Sequence, residues 1–271
     1  MKQKLTAQKR FIPSRAGKLK LVILRPETQE APLPGILWIH GGGYTLGMPG
    51  MVRFSCGRLL AERFGAVVVS PGYRLAGKAP YPAALEDCVD ALLYMDAHRE
   101  ELGIGKLIVG GESAGGGLAA AVCLYARDHG GPKIDFQFPL YPMLDCEDTE
   151  TSRDNHGKIW NTRRNHRGWR KYLGALYGTE NVPAYASPSR AECLAGLPPC
   201  YTYVGDGEPF CAETKEYVAR LKAAGVEASA DVFHTDVHAF DRMTFWTEEA
   251  KAVTGKICKV FSEKILGEEE S

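Results

Sequence analysis

The five residues Gly111-Glu-Ser-Ala-Gly115 carry the most informative local pattern in this chain of 271 residues. The apolar run 106–110 before them predicts a short buried strand, and the alanine-rich run 118–126 after them predicts a helix. A serine flanked by glycines at such a corner is typical of the nucleophile elbow G-x-S-x-G, with Ser113 as the nucleophile. With 30 glycines in the chain, chance gives this pattern in roughly one such chain in ten, so the rest of the sequence has to support it.

Strand-like and helix-like segments alternate on both sides of this elbow. Two runs separated by turn residues, 8–12 and 18–24, predict an opening hairpin. Further buried strands are predicted at 35–39, 66–70, 134–138, 200–204 and 228–233, and helices at 48–64, 81–99, 212–224 and 248–265. An antiparallel start followed by this alternation predicts an α/β fold, with a mostly parallel sheet covered by helices on both faces.

The composition excludes several classes of protein. The length fits one domain over residues 1–271. Lysine plus arginine equals aspartate plus glutamate at 33 each, so no excess charge indicates a nucleic-acid partner or an acidic membrane surface. No apolar run predicts a membrane span or a signal peptide, so we expect a cytoplasmic protein. The eight cysteines and seven histidines lack metal-ligand spacing, which predicts reduced thiols, no metal and no other cofactor.

Residues 146–187 differ from the rest of the chain. They are polar, contain several tryptophans and tyrosines, and have no strand-like run. An aromatic-bearing insertion in a regular α/β alternation is more often a lid or a pocket wall than a second domain. We therefore predict a lid insertion over about 146–187.

A serine nucleophile needs a base, and the base needs a carboxylate to fix its tautomer. In a parallel sheet such groups gather at the carboxyl ends of the strands. His238 lies in the loop after the last predicted strand and can fold back over the elbow, which predicts it as the base. His234, at the end of that strand, is the alternative, and its position favours a structural role.

The carboxylate should follow a strand between the serine and the histidine. The loop Gly205-Asp-Gly-Glu-Pro209 offers two, Asp206 and Glu208. The proline after Glu208 restricts that residue to extended conformations and so helps to fix its side chain, whereas Asp206 can satisfy the loop backbone. This reasoning favours Glu208 only slightly and leaves Asp206 open.

Ester or amide hydrolysis also needs N–H donors for the negative oxygen of the tetrahedral intermediate. The glycine-rich turn His40-Gly-Gly-Gly43 follows a predicted strand, and the backbone N–H groups of Gly42 and Gly43, with that of Ala114, suit this role. A triple glycine can also form a phosphate cradle, but no G-K-[ST] follows it, which argues against nucleotide binding. His40 is then predicted to support the loop by hydrogen bonding.

Together these motifs resemble the hormone-sensitive-lipase-like branch of the α/β-hydrolases, the bacterial carboxylesterase and acetyl esterase group. The similar segments are His40-Gly-Gly-Gly-Tyr44, Tyr73-Arg-Leu-Ala76, Tyr81-Pro-Ala-Ala-Leu-Glu-Asp87, Gly111-Glu-Ser-Ala-Gly-Gly116, Tyr141-Pro-Met-Leu-Asp145, Glu208-Pro-Phe210 and His238-Ala-Phe240. The resemblance implies an eight-stranded α/β-hydrolase sheet with Ser113, His238 and Glu208 as the triad, because the family's acid stands immediately before proline. The family usually has aspartate at the acid position, so Glu208 is a departure. The chain departs again at Glu112, where aspartate is usual, at Gly77, where proline is usual, and at Ala239, where glycine is usual.

The resemblance further implies a serine carboxylesterase that hydrolyses small-molecule esters of short acyl chains through a covalent acyl-enzyme. An amidase or peptidase with the same triad is one alternative. A non-catalytic ligand-binding protein on the same fold is another. Receptors that resemble this family have lost the triad histidine, whereas this chain keeps it. A homodimer is also expected, since family members often pair through the last strand and helix.

Overall fold

The fold is built on one eight-stranded sheet in a computed structural model that describes residues 2–28 and 32–268. The strands are β1 (Leu5–Ser14), β2 (Gly17–Pro26), β3 (Leu33–Ile39), β4 (Val67–Pro71), β5 (Ile104–Glu112), β6 (Phe136–Leu140), β7 (Cys200–Gly205) and β8 (Ala228–Phe233). Their order is β1-β2-β4-β3-β5-β6-β7-β8; β2 is antiparallel to β1 and β4, and the other pairs are parallel. The predicted strands and the mostly parallel sheet are confirmed, with ends shifted by a few residues.

Helices alternate with the strands, as predicted. They are α1 (Cys56–Phe64), α2 (Ala83–Ala97), α3 (Arg99–Leu102), α4 (Ala114–Asp128), α5 (Thr162–Leu173), α6 (Cys211–Ala223), α7 (Phe240–Met243) and α8 (Glu248–Phe261). Two layers result, in which α2 packs with α4 and α1 packs with α8. Phe261 of α8 is fully buried against Phe64 and Phe138, and burial of one such side chain contributes about 1.5–3 kcal/mol.

The prediction of one helix over 48–64 is wrong in its first half. Pro49–Phe54 forms a short 3-10 helix, and α1 begins only at Cys56. Ser55 separates the two because its backbone is extended, at φ −102° and ψ 169°, and its Oγ accepts a hydrogen bond from Arg58 N at 3.4 Å. Both helix types leave a similar apolar pattern, so the sequence alone did not show the break.

The polar insertion 146–187 contains α5 and no strand. Asn161 caps α5 by accepting a hydrogen bond from Arg164 N at 3.1 Å. The inner face of the helix buries Trp169 and Tyr172, and the Tyr172 ring stacks on Tyr44 at 3.9 Å between centroids. Since Tyr44 directly follows the glycine-rich turn after β3, the insertion packs against the carboxyl end of the sheet. No helix among the described residues is long and apolar enough to cross a membrane.

Candidate active site

Ser113 stands at a sharp corner between β5 and α4. Its backbone has φ 59° and ψ −121°, a conformation that is costly for a residue with a side chain. The flanking glycines are required by space: a Cβ on Gly111 would lie 2.2 Å from Gly115 O, and one on Gly115 would lie 2.1 Å from Ile39 O. The elbow is therefore wedged against the end of β3, and its Ser113 side chain projects at the carboxyl edge of the sheet.

His238 and Glu208 lie next to this serine. His238 Nε2 is 2.9 Å from Ser113 Oγ, and His238 Nδ1 is 2.5 Å from Glu208 Oε2. The other carboxylate oxygen of Glu208 accepts a hydrogen bond from Gly205 N at 2.9 Å. Glu208 is fully buried and His238 is 5% exposed, so bulk water does not compete for these contacts. Three loops that follow β5, β7 and β8 thus bring serine, carboxylate and imidazole into one line.

The alternative residues lie elsewhere and pair with each other. Asp206 Oδ2 is 2.7 Å from Nδ1 of the exposed His234, and Asp206 Oδ1 accepts a hydrogen bond from Thr235 N at 3.0 Å. The hydrogen bond between them lowers the pKa of Asp206 and raises the pKa of His234. Asp206 therefore tethers the surface turn after β8 and makes no contact with His238.

The glycine-rich turn after β3 lies against the elbow. A Cβ on Gly41 would be 2.9 Å from Glu112 O and 3.3 Å from the Ser113 side chain. Gly42 has φ 116° and accepts hydrogen bonds from Thr45 N and Leu46 N, which closes the turn. Gly43 has φ 56°, and Ala114 begins α4, where the first N–H groups have no partner within the helix. The predicted N–H donors therefore lie on two segments beside Ser113: Gly42 and Gly43 on the turn after β3, and Ala114 at the start of α4.

His40 supports this turn and does not face the serine. Its Nδ1 lies 2.8 Å from Gly41 O, and its ring stacks on Tyr73 at 4.2 Å between centroids. The Tyr73 hydroxyl donates to His40 O at 3.0 Å. Burial lowers the pKa of His40 to about 4, so its imidazole is neutral at physiological pH.

Aromatic side chains enclose the imidazole of His238. The rings of Tyr141 and Phe210 lie 5.2 and 5.3 Å from it, and that of Trp160, from the insertion, lies 6.2 Å away. Trp160 also covers Gly43, since a Cβ added there would be 2.2 Å from the indole. The sequence indicated an aromatic-bearing insertion, but nothing in it distinguished Trp160 from the other aromatic residues of that segment.

A partly buried charged cluster beside the elbow was not predicted. Glu112 Oε1 accepts a hydrogen bond from Cys56 N at 3.0 Å, and Arg242 Nε lies 3.0 Å from Asp241 Oδ2. Arg242 also donates to Cys56 Sγ at 2.6 Å. Burial raises the pKa of Glu112 to about 7, against the opposing effect of the Arg242 charge. These residues link the residue before Ser113 with the segment just after His238.

Comparison with known proteins now identifies the family. The model of the family described as alpha/beta hydrolase fold matches residues 36–242. Esterase LipI of Mycobacterium tuberculosis is 36% identical over 231 residues, which are 83% of this chain and 72% of LipI. The structure of a bacterial heroin esterase is similar with a TM-score of 0.86 and 33% identity, covering 93% of this chain and 82% of that one. An esterase from the archaeon Pyrobaculum calidifontis has a TM-score of 0.86 and 31% identity, covering 98% and 87%.

The chain therefore belongs to the α/β-hydrolase fold family and is a hydrolase. Within that family it falls in the hormone-sensitive-lipase-like branch that its motifs predicted. The predicted fold class is confirmed by the same comparisons.

Proposed function

We propose that the chain is a serine carboxylesterase that hydrolyses small-molecule esters of short acyl chains, with Ser113, His238 and Glu208 as its catalytic triad. One observation carries this proposal: the contacts of 2.9 Å from His238 to Ser113 and 2.5 Å from His238 to Glu208, within a buried site at the ends of three strands. The relatives named esterases support an ester as the substrate over an amide.

In the first half of the reaction, Ser113 Oγ attacks the ester carbonyl carbon while His238 Nε2 takes the hydroxyl proton. Glu208 holds the Nδ1 proton and stabilises the imidazolium. The carbonyl oxygen becomes an oxyanion, for which the N–H groups of Gly42, Gly43 and Ala114 are the proposed donors. The intermediate then collapses as His238 gives its proton to the leaving alcohol, and the acyl group remains on Ser113.

In the second half, water takes the place of the alcohol. His238 removes a proton from the water as it attacks the acyl carbonyl carbon, and the same three N–H donors receive the second oxyanion. Collapse returns the proton to Ser113 Oγ and releases the carboxylic acid. Each donor of this kind typically contributes about 10²–10³ in rate, so the turn after β3 matters as much as the triad geometry.

We also propose one α/β-hydrolase domain in which the insertion 146–187 forms the lid. Its Trp160 lies over Gly43 and beside the His238 ring, which supports a wall on the acyl or alcohol side of the site. A bulky indole at this place leaves little room next to the oxyanion turn. The preference for short acyl chains follows from this restriction.

Location in the cytoplasm and a homodimer complete the proposal. All eight cysteines are free, and Cys193 is exposed, which supports a reducing compartment. β8 lies at the edge of the sheet, and Val232 on it is 46% exposed. An exposed apolar residue on an edge strand supports pairing between two copies through β8.

Hydrolysis of p-nitrophenyl acetate, with labelling of the protein by a fluorophosphonate probe, tests the proposed function. We expect turnover and labelling of the wild-type chain, and a loss of at least about 10⁴-fold in kcat for Ser113→Ala. Turnover of an anilide faster than of the matched ester would favour an amidase. Absence of both turnover and labelling would favour a ligand-binding protein.

A further inference from the structure

A groove of about 820 Å³ lies on the outer face of the insertion, along α5. Arg163, Arg167 and Arg170 (the groove arginines) line it together with His156 and His166, and its other lining side chains are asparagine and threonine. None of the described side chains that line it is acidic or apolar. Its size is that of a small-molecule site, and its lining fits a polar ligand of negative charge.

The groove arginines lack a carboxylate partner among the described residues, whereas eight of the seventeen arginines of the chain pair with one. Arg74, for example, pairs with Asp87 at 2.9 Å, and seven other arginines make similar pairs. Among the residues that the structure describes, no carboxylate lies within ion-pair distance of any groove arginine. Within the described part of the chain, the Arg170 side chain makes a cation–π contact with Tyr177, at 5.3 Å, and no hydrogen bond, so its N–H groups can bind a ligand.

The acidic residues near the groove contact its histidines. Asp148 lies 2.7 Å from Nε2 of His166, and Asp154 lies 3.1 Å from Nε2 of His156. Both carboxylates therefore pair with the histidines and not with the groove arginines. Residues 151–179 contain seven lysines and arginines but one acidic residue, in a chain whose net charge is zero.

A merely solvated helix face usually mixes charges of both signs. The groove arginines instead repeat at spacings of four and three residues, which places like charges on one stripe of α5. Like charges at this spacing destabilise a helix unless an anion lies between them. The arrangement therefore fits an anion-binding stripe better than a solvated surface.

We propose that this groove binds a small molecule that carries two or more phosphate or carboxylate groups. The planar guanidinium groups can pair with such oxyanions through two parallel N–H donors each. The segment 155–161 borders the groove and also carries Trp160, which lies over Gly43. A ligand in the groove therefore contacts the segment that covers the proposed active site.

Isothermal titration of the full chain with pyrophosphate, and separately with citrate, at constant ionic strength tests this site. We expect saturable binding of one anion per chain, weakened about tenfold or more by Arg167→Ala, since each charge-assisted pair contributes about that much. Lys171→Ala is the matched control because it removes the same charge from an exposed position of α5 that does not line the groove. No saturable binding, or equal weakening in both variants, would overturn the proposal.

Kinetics then show where the anion comes from. If it is part of the ester substrate, Arg167→Ala raises KM for the mono-p-nitrophenyl ester of tricarballylate, which keeps two carboxylates, and leaves KM for p-nitrophenyl acetate unchanged. If it is a separate molecule, both KM values stay unchanged while pyrophosphate binding is lost. An equal rise in KM for both esters would contradict the site, because Arg167 would then act through the lid structure. The titration needs no turnover, so its result is independent of the proposed esterase activity.

Discussion

Replacement of Glu208 by glutamine would test the proposed acid with almost no change in shape. Glu208 uses one oxygen to accept from Gly205 N and the other to accept from His238 Nδ1. Glutamine has only one oxygen. If that oxygen stays on Gly205 N, the NH₂ group faces Nδ1 and forces the imidazole proton onto Nε2, so His238 cannot accept the proton of Ser113. If the amide is reversed, its NH₂ group meets Gly205 N–H, and two buried donors face each other.

Both orientations are unfavourable, and no water can replace the lost acceptor because Glu208 is fully buried. We therefore expect kcat to fall by about 10³–10⁴, equivalent to about 4–5.5 kcal/mol in the activation barrier. KM should change little, since Glu208 contacts the base and not the substrate. Asp206→Asn, on the surface pair with His234, should leave kcat within about twofold.

The assay is p-nitrophenyl acetate hydrolysis under saturating conditions, with circular dichroism and thermal melts to show that both variants are folded. Glu208→Asp, which restores a carboxylate on a shorter side chain, should recover part of the lost activity. Full activity of folded Glu208→Gln together with a large loss in Asp206→Asn would refute the argument from hydrogen bonding, and Asp206 would then be the acid.

Three further outcomes follow from single contacts. Trp160→Ala should raise kcat/KM for p-nitrophenyl hexanoate relative to acetate by about tenfold, because it opens space beside Gly43. The exposed Trp246→Ala is the control and should leave this ratio unchanged. An unchanged ratio in Trp160→Ala would mean that the indole does not limit acyl length. Ala239 has φ 58°, a left-handed backbone conformation that is strained for any residue with a Cβ. Ala239→Gly should therefore stabilise the fold by about 1 kcal/mol and raise the melting temperature. A lower melting temperature would show that the backbone at this position is not strained. Burial raises the pKa of Glu213 well above its ordinary 4.5, helped by the nearby charge of Asp145. Above pH 4.5 the unfolded state therefore releases a proton that the folded state keeps, and stability falls by about 1.4 kcal/mol per pH unit until the folded pKa is reached. Glu213→Gln should remove this slope in denaturant titrations from pH 5 upward, and a slope equal to that of the wild type would show that Glu213 ionises freely.

The strands were predictable because parallel strands are buried on both faces and appear as short continuous apolar runs. β4 is the clearest example, with all five residues buried. The ends of helices were less predictable, since they depend on single capping contacts such as the one that Ser55 makes with Arg58 N. The apolar pattern predicts the strands and helices and their order. The capping contacts that end a helix depend on side-chain positions that the pattern does not contain.

Asp206 and Glu208 show why the carboxylate that contacts His238 could not be chosen from local sequence. Both lie in the same turn after β7. They differ in the surroundings of their side chains. The Glu208 side chain is fully buried and contacts His238, whereas the Asp206 side chain is exposed and contacts His234. Both histidines belong to the loop after β8, about thirty residues further along the chain. No sequence pattern within the turn itself indicates which carboxylate each histidine contacts.

The cluster of Glu112, Asp241, Arg242 and Cys56 depends even more on the whole fold. The carboxylates of Glu112 and Asp241 repel each other, and the charge of the nearby Arg242 guanidinium compensates them. Cys56, Glu112 and the adjacent pair Asp241 and Arg242 lie in three separate parts of the sequence. The contacts that join these parts span 56 and 186 residues, so no local spacing could reveal the cluster. Glu112 precedes Ser113, and Asp241 follows His238 by three residues. The same cluster therefore joins the two loops that place His238 Nε2 2.9 Å from Ser113 Oγ. The longer side chain of Glu112, where the family usually has aspartate, reaches Cys56 N at the start of α1. The departure at residue 112 therefore has a structural partner in α1, and it extends the support of the elbow beyond the sheet.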